Sequence, residues 1–195
     1  MKTKGYQKAQ DEIADAREAV RRMVAADTLG AAEREWRNFL EHFARMFNKL
    51  LIACKGDTRA YPWFGKKKNE REKNPLLIYL SQARHSNEHS IEDSTEHVTT
   101  SITFDGPPGT ISIDGPLYDE NGNIRISAFS TSSNMTVTHG LTGLRILPVT
   151  NRGVTYTPPI AAAGTVIEST PRQICEAAIA YAEELLEEAA QFLDD

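Results

Sequence analysis

Residues 82–97, QARHSNEHSIEDSTEH, concentrate the side chains that do chemistry. The run carries three of the chain's five histidines and four carboxylates, with Ile91 as its one large apolar residue. A stretch this polar, directly behind an apolar helical pattern, either faces solvent or lines a polar site. Arg84 and His89 enclose four residues, giving R-H-S-N-E-H. Cutting RNA without a metal requires a base for the 2′-hydroxyl proton and an acid for the departing 5′-oxygen. It also requires a fixed positive charge beside the phosphate, where negative charge grows in the transition state. Histidine titrates in the range for the first two tasks, and a guanidinium presents a two-pronged fork for the third.

This pattern resembles the HEPN superfamily. Its signature is Arg, then usually a polar residue, then His after four to six intervening positions, near the start of a helix in an α-helical bundle. Arg84, His85 and His89 fit it residue by residue. The resemblance implies a homodimeric, metal-independent RNA endonuclease without cofactors, two motifs meeting across the dimer interface. Arg84 would then hold the phosphate, His89 would act as acid or base, and His85 would orient them. The same spacing recurs at Arg37 and His42, inside a strongly periodic helix, where five residues turn roughly 140° and put the pair on diverging faces. An unbroken helix would separate Arg84 from His89 by that same angle, so the pair works best at a helix junction.

Two other readings compete for these residues. His85 and His89 share one helical face with Glu88 between them, and H-S-N-E-H is similar to the H-x-x-E-H pattern of inverted zincins. A zinc there needs a third ligand, with Glu92, Asp93 and Glu96 nearby and Glu168 more distant. Alternatively, the run is a solvated helix end whose charges satisfy one another, on a non-enzymatic protein-interaction module. Upstream, Lys55–Lys73 holds seven basic and three acidic residues, interleaved with Tyr61, Trp63 and Phe64. Lys66, Lys67 and Lys68 could steer RNA while Trp63 stacks a base; a loop with its aromatics turned into the core is the plainer alternative.

Three zones must position these residues. Positions 7–97 read as helical, 98–169 as strands and turns, and 170–193 as helical again. Trp36, Phe39, Leu40, Phe43, Met46, Phe47, Leu50, Leu51 and Cys54 recur at three- and four-residue intervals. Asp27 or Thr28 can cap that helix and Gly56 stop it. Asn74-Pro75 starts a shorter helix and Ser169-Thr170-Pro171 the last one. From Val98 the period falls to two, and Asn121-Gly122 marks a hairpin. The fold class expected is α+β: an antiparallel helical bundle from 1–97 plus 170–195, with a β-rich insertion at 98–169 packed on it.

Composition excludes much else. The 195 residues are 40% hydrophobic and 25% charged, as in ordinary globular chains. A net charge of −5 argues against a protein that wraps nucleic acid all round, yet the last helix is acidic while 55–73 is basic. Cys54 and Cys175 read as small buried hydrophobes rather than a disulfide. With no signal-peptide pattern and no long apolar span, a cytoplasmic protein without membrane contact is expected.

Overall fold

Apolar residues at helical intervals become the seam of a helical hairpin. Helix α1 (Thr3–Val24) buries Tyr6, Ala9, Ile13, Ala16, Val20 and Met23. Helix α2 (Leu29–Cys54) buries Trp36, Phe39, Leu40, Phe43, Met46, Phe47 and Leu50. Between them Thr28 is the cap: its Oγ1 accepts the Ala31 N–H at 3.2 Å. The hairpin runs antiparallel in a constant register. Lys2 N–H donates to the Ala53 carbonyl, Glu12 meets His42, and Arg22 meets Glu35 near the turn. Small residues bring the backbones close, since a Cβ added at Gly5 would sit 2.9 Å from the Ala53 Cβ.

The computed structural model describes residues 1–89, 94–107, 109–114, 128–132, 134, 136–159, 161–162, 165–166 and 170–193. The chain divides into two compact units, Met1–Glu96 with Ile146–Asp195, and His97–Arg145. Helices α3 (Ala60–Arg71), α4 (Pro75–His89) and α5 (Pro171–Ala190) complete the helical unit. The class is α+β, as the periodicities indicate. No helix among the described residues is long and apolar enough to cross a membrane.

Helix α3 corrects the expectation of a loop at 55–73. Pro62 falls in its first turn, where a missing N–H costs no intrahelical bond. Asp57 prepares the entry: its Oδ1 accepts the Arg59 and Ala60 N–H groups, both at 2.8 Å. Helix α5 starts as expected, with Thr170 Oγ1 accepting the Gln173 N–H. It packs on α1, where the Tyr6 hydroxyl donates to the Leu186 carbonyl at 3.1 Å. Both cysteines are free and fully buried, and burial pushes the Cys54 thiol up to about 11.

The strands pair two by two, and against the expectation of uniformly short strands two of them run to 11 residues. Strand β1 (Thr95–Asp105) pairs with β4 (Thr136–Ile146), and β2 (Ile111–Asp114) with β3 (Ala128–Thr131). In the inner pair Ile111 faces Thr131 and Asp114 faces Ala128, antiparallel. β1 begins at Thr95, three residues before the expected strand, in a run of β-branched residues that favours extended backbone. The Asn121-Gly122 turn lies outside the described residues. In the helical unit, β5 (Val149–Asn151) and β6 (Val154–Tyr156) form a hairpin closed by Arg152 and Gly153, both at positive φ. A second small pair joins β7 (Ala161–Ala162) to β8 (Thr165–Val166).

Candidate functional site

Helix α4 carries the Arg/His motif, and its position is fixed at several points. Asn74 Oδ1 accepts the Leu76 N–H at 3.0 Å, with Pro75 as the first helical residue. Leu76, Leu77, Tyr79, Leu80 and Ala83 then turn into the core. The Tyr79 hydroxyl donates to the Leu147 carbonyl at 2.7 Å, and Asn151 Nδ2 donates to Gln82 Oε1 at 2.7 Å. The β5–β6 hairpin and Leu147 just before it thus hold the helix at Gln82 and Tyr79, two and five residues before Arg84. Beyond the motif, Trp36 Nε1 donates to Ser94 Oγ at 3.2 Å and Ser94 Oγ donates to Asn87 Oδ1 at 2.8 Å.

The helix does not end near Arg84; it runs on to His89. No Pro or Gly interrupts Gln82–His89, and the i,i+4 ion pair from Arg84 to Glu88 supports the continuation. Arg84 and His89 therefore stand roughly 140° apart around one axis, without the expected junction between them. His85 is half-buried beside Arg84. The Arg84 guanidinium is held twice, with Nε donating to Glu41 Oε1 of α2 at 3.2 Å and Nη2 to Glu88 Oε1.

The zinc alternative used Glu88 as base between two histidine ligands. In the structure the Glu88 carboxylate is engaged by Arg84. Glu92 lies outside the described residues. Of the described histidines and carboxylates, Glu12, Asp15 and His42 place one donor atom each within 4.8 Å of the others, on the α1–α2 seam. Sequence spacing does not reveal that group, because the hairpin register brings it together.

On α3 the basic and aromatic residues do not act as one set. Lys66 and Lys68 are exposed, while Phe64 is buried. Trp63 packs against Phe192 with ring centroids 5.3 Å apart, and its Nε1 donates to Glu188 Oε2 at 3.3 Å. Lys67 Nζ donates to the same carboxylate at 2.8 Å. That hydrogen bond raises the Lys67 pKa and lowers that of Glu188. Acidic α5 therefore occupies two of the groups expected to meet RNA.

Two clefts lie along α2. One, of about 110 Å³, is lined by Leu40, Phe43, Leu77, Ser81 and Arg84 among others. The second, of about 130 Å³, is lined by Leu51, Phe64, Lys67, Lys68 and Leu185. Phe47, Asn48 and Arg71 belong to both. Together they make a basic rim over an apolar floor, linking the motif helix to α3. Arg71 was counted only as one of the seven basic residues of 55–73 and Asn48 carried no signal in the sequence, because their proximity is tertiary.

No family model, curated protein or solved structure matches the chain. The HEPN resemblance accordingly stands on Arg84, His85 and His89 and on the order of helices around them.

Proposed function

We propose that this chain is a HEPN-like RNA-binding protein which, as a homodimer, cleaves RNA without a metal. The observation that carries the reading is the Arg84 guanidinium, fixed by Glu41 and Glu88 at the rim of a cleft whose other cation is Arg71. A guanidinium already oriented loses little freedom when it forks a phosphate, although the phosphate competes with two carboxylates. Lys66 and Lys68, exposed on α3, would draw the RNA backbone toward that rim. Arg84 and His89 occupy positions roughly 140° apart around a continuous helix, so one copy is not expected to bring both to a single phosphate. Two copies can, which is the physical reason for including the dimer.

Fluorescence anisotropy with a single-stranded RNA, together with a cleavage assay in EDTA, tests this reading. Binding that weakens with salt, and cutting abolished by Arg84→Ala and by His89→Ala, is the expected result. Absence of binding, or cutting that survives both substitutions, would overturn it. A non-enzymatic protein-interaction module is favoured by one feature, the neutralisation of Arg84 by two carboxylates. Under that reading RNA is neither bound nor cut, and Arg84→Ala changes stability alone.

A further inference from the structure

Arg71 stands apart from every other cation lining the two clefts. Arg84 is paired with Glu41 and Glu88, Lys67 with Glu188 and Glu70, and Lys68 with Glu72. Arg71 lies instead over the Phe47 ring, its guanidinium carbon 4.3 Å from the ring centre. Among the described residues no carboxylate or carbonyl accepts from its N–H groups, and burial holds its pKa below the ordinary arginine value. Stacking on a ring satisfies one face of a guanidinium but none of its five in-plane donors.

Beside the same ring, but outside the lining of either cleft, lies Tyr181. The Tyr181 hydroxyl is buried without a hydrogen-bond partner among the described residues. Its ring centre is 6.5 Å from that of Phe47, and it is within electrostatic reach of Arg71 and Lys67. The half-exposed Arg71 lines both clefts, so an anion there exchanges the water on its donors for charge-assisted hydrogen bonds.

We infer that Arg71, with Asn48 beside it, forms a binding site for a phosphate group. Arg71 lines both clefts, and a phosphate, with a further oxygen and more negative charge than a carboxylate, can engage more of its donors. Cleft volumes of about 110 and 130 Å³ fall well short of the several hundred Å³ of a typical small-molecule pocket. The site therefore takes one phosphoryl group and leaves whatever bears it in solvent. Free phosphate and a terminal phosphate ester share that chemistry. The inference goes beyond the RNA reading and holds whether or not Arg84 contacts RNA.

The test is calorimetric titration of the full chain with inorganic phosphate at fixed ionic strength, repeated with a 5′-phosphorylated trinucleotide and with acetate. Saturable one-to-one phosphate binding is expected, with acetate at least tenfold weaker. Arg71→Gln, which keeps a stem over Phe47, should weaken phosphate about tenfold to a hundredfold, while Arg172→Gln, on the exposed start of α5, leaves it unchanged. A trinucleotide that binds more tightly than phosphate identifies the ester as the source; equal or weaker binding identifies free phosphate. Unsaturable titration, acetate binding as tight as phosphate, or full affinity in Arg71→Gln would overturn the site. Should Arg71→Gln lose its helical circular dichroism, Asn48→Ala carries the test, and unchanged affinity there overturns the inference. Phosphate binding without RNA binding would leave this site standing and remove the RNA reading.

Discussion

At the scale of single residues, Asp57 shows how much one carboxylate can organise. Its Oδ1 caps α3 through the Ala60 and Arg59 N–H groups, and its Oδ2 accepts from the Met1 ammonium at 2.7 Å. The backbone hydrogen bond from Ala60, followed by the ammonium, holds the carboxyl far below the usual aspartate range. A group depressed in the folded state stabilises fully above its unfolded pKa, near 3.9, and progressively less as pH falls below it. Asp57→Asn should therefore lower Tm at pH 6, and the gap to wild type should shrink steadily below about pH 4. Thermal melts across that range check this, and a gap independent of pH would refute it. The motif residues themselves were legible in the sequence, because Arg84, His85 and His89 are local to one another. Their partners were not. Glu41 is 43 positions away from Arg84, and no periodicity announces that two helix faces will bring a carboxylate to a guanidinium.

Helices legible by period and caps formed where the sequence placed them. α2 has an apolar stripe along its whole length and Thr28 at its start; α5 has Thr170-Pro171. α3 was hidden for a physical reason. It buries only Ala60 and Phe64, so it carries almost no apolar stripe, and Pro62 with Gly65 reads as loop chemistry. Its stability comes from Asp57 at the entry and from the Trp63 and Lys67 contacts to α5, which are tertiary. The α1–α2 hairpin makes an element-scale prediction with two signs. Gly5→Ala gains helix propensity but drives a Cβ to 2.9 Å from that of Ala53, and overpacking outweighs the gain, for a net loss of about 1 kcal/mol. Gly30→Ala, in the first turn of α2, meets nothing within 4 Å and should stabilise by about 0.5–1 kcal/mol. Urea unfolding of both variants checks the pair. Equal signs would contradict the close approach at Gly5.

Across the whole molecule, the opposed charges of the basic segment and the acidic last helix partly face each other, since Glu188 takes both Trp63 and Lys67. Composition alone recorded only their sum. The two-unit division carries its own prediction. Ser94 and Leu147 are joined by a backbone hydrogen bond of 2.9 Å, so His97–Arg145 leaves and re-enters the helical unit at almost one point. Replacing those residues by a short Gly-containing turn should preserve cooperative unfolding of the helices. It should also raise stability by about 2 kcal/mol, from the smaller entropy of loop closure. Loss of the cooperative transition would show that the helices need the second unit. The same topology has a consequence for synthesis. α5 closes over α1, yet roughly eighty residues separate it from the end of α4. At the ~5–20 residues per second of translation, the ribosome spends about 4–16 s on that interval. Throughout it, the α1 face that carries Tyr6 to Leu186 waits uncovered, so the nascent chain is most open to chaperone capture or aggregation just before its last helix emerges.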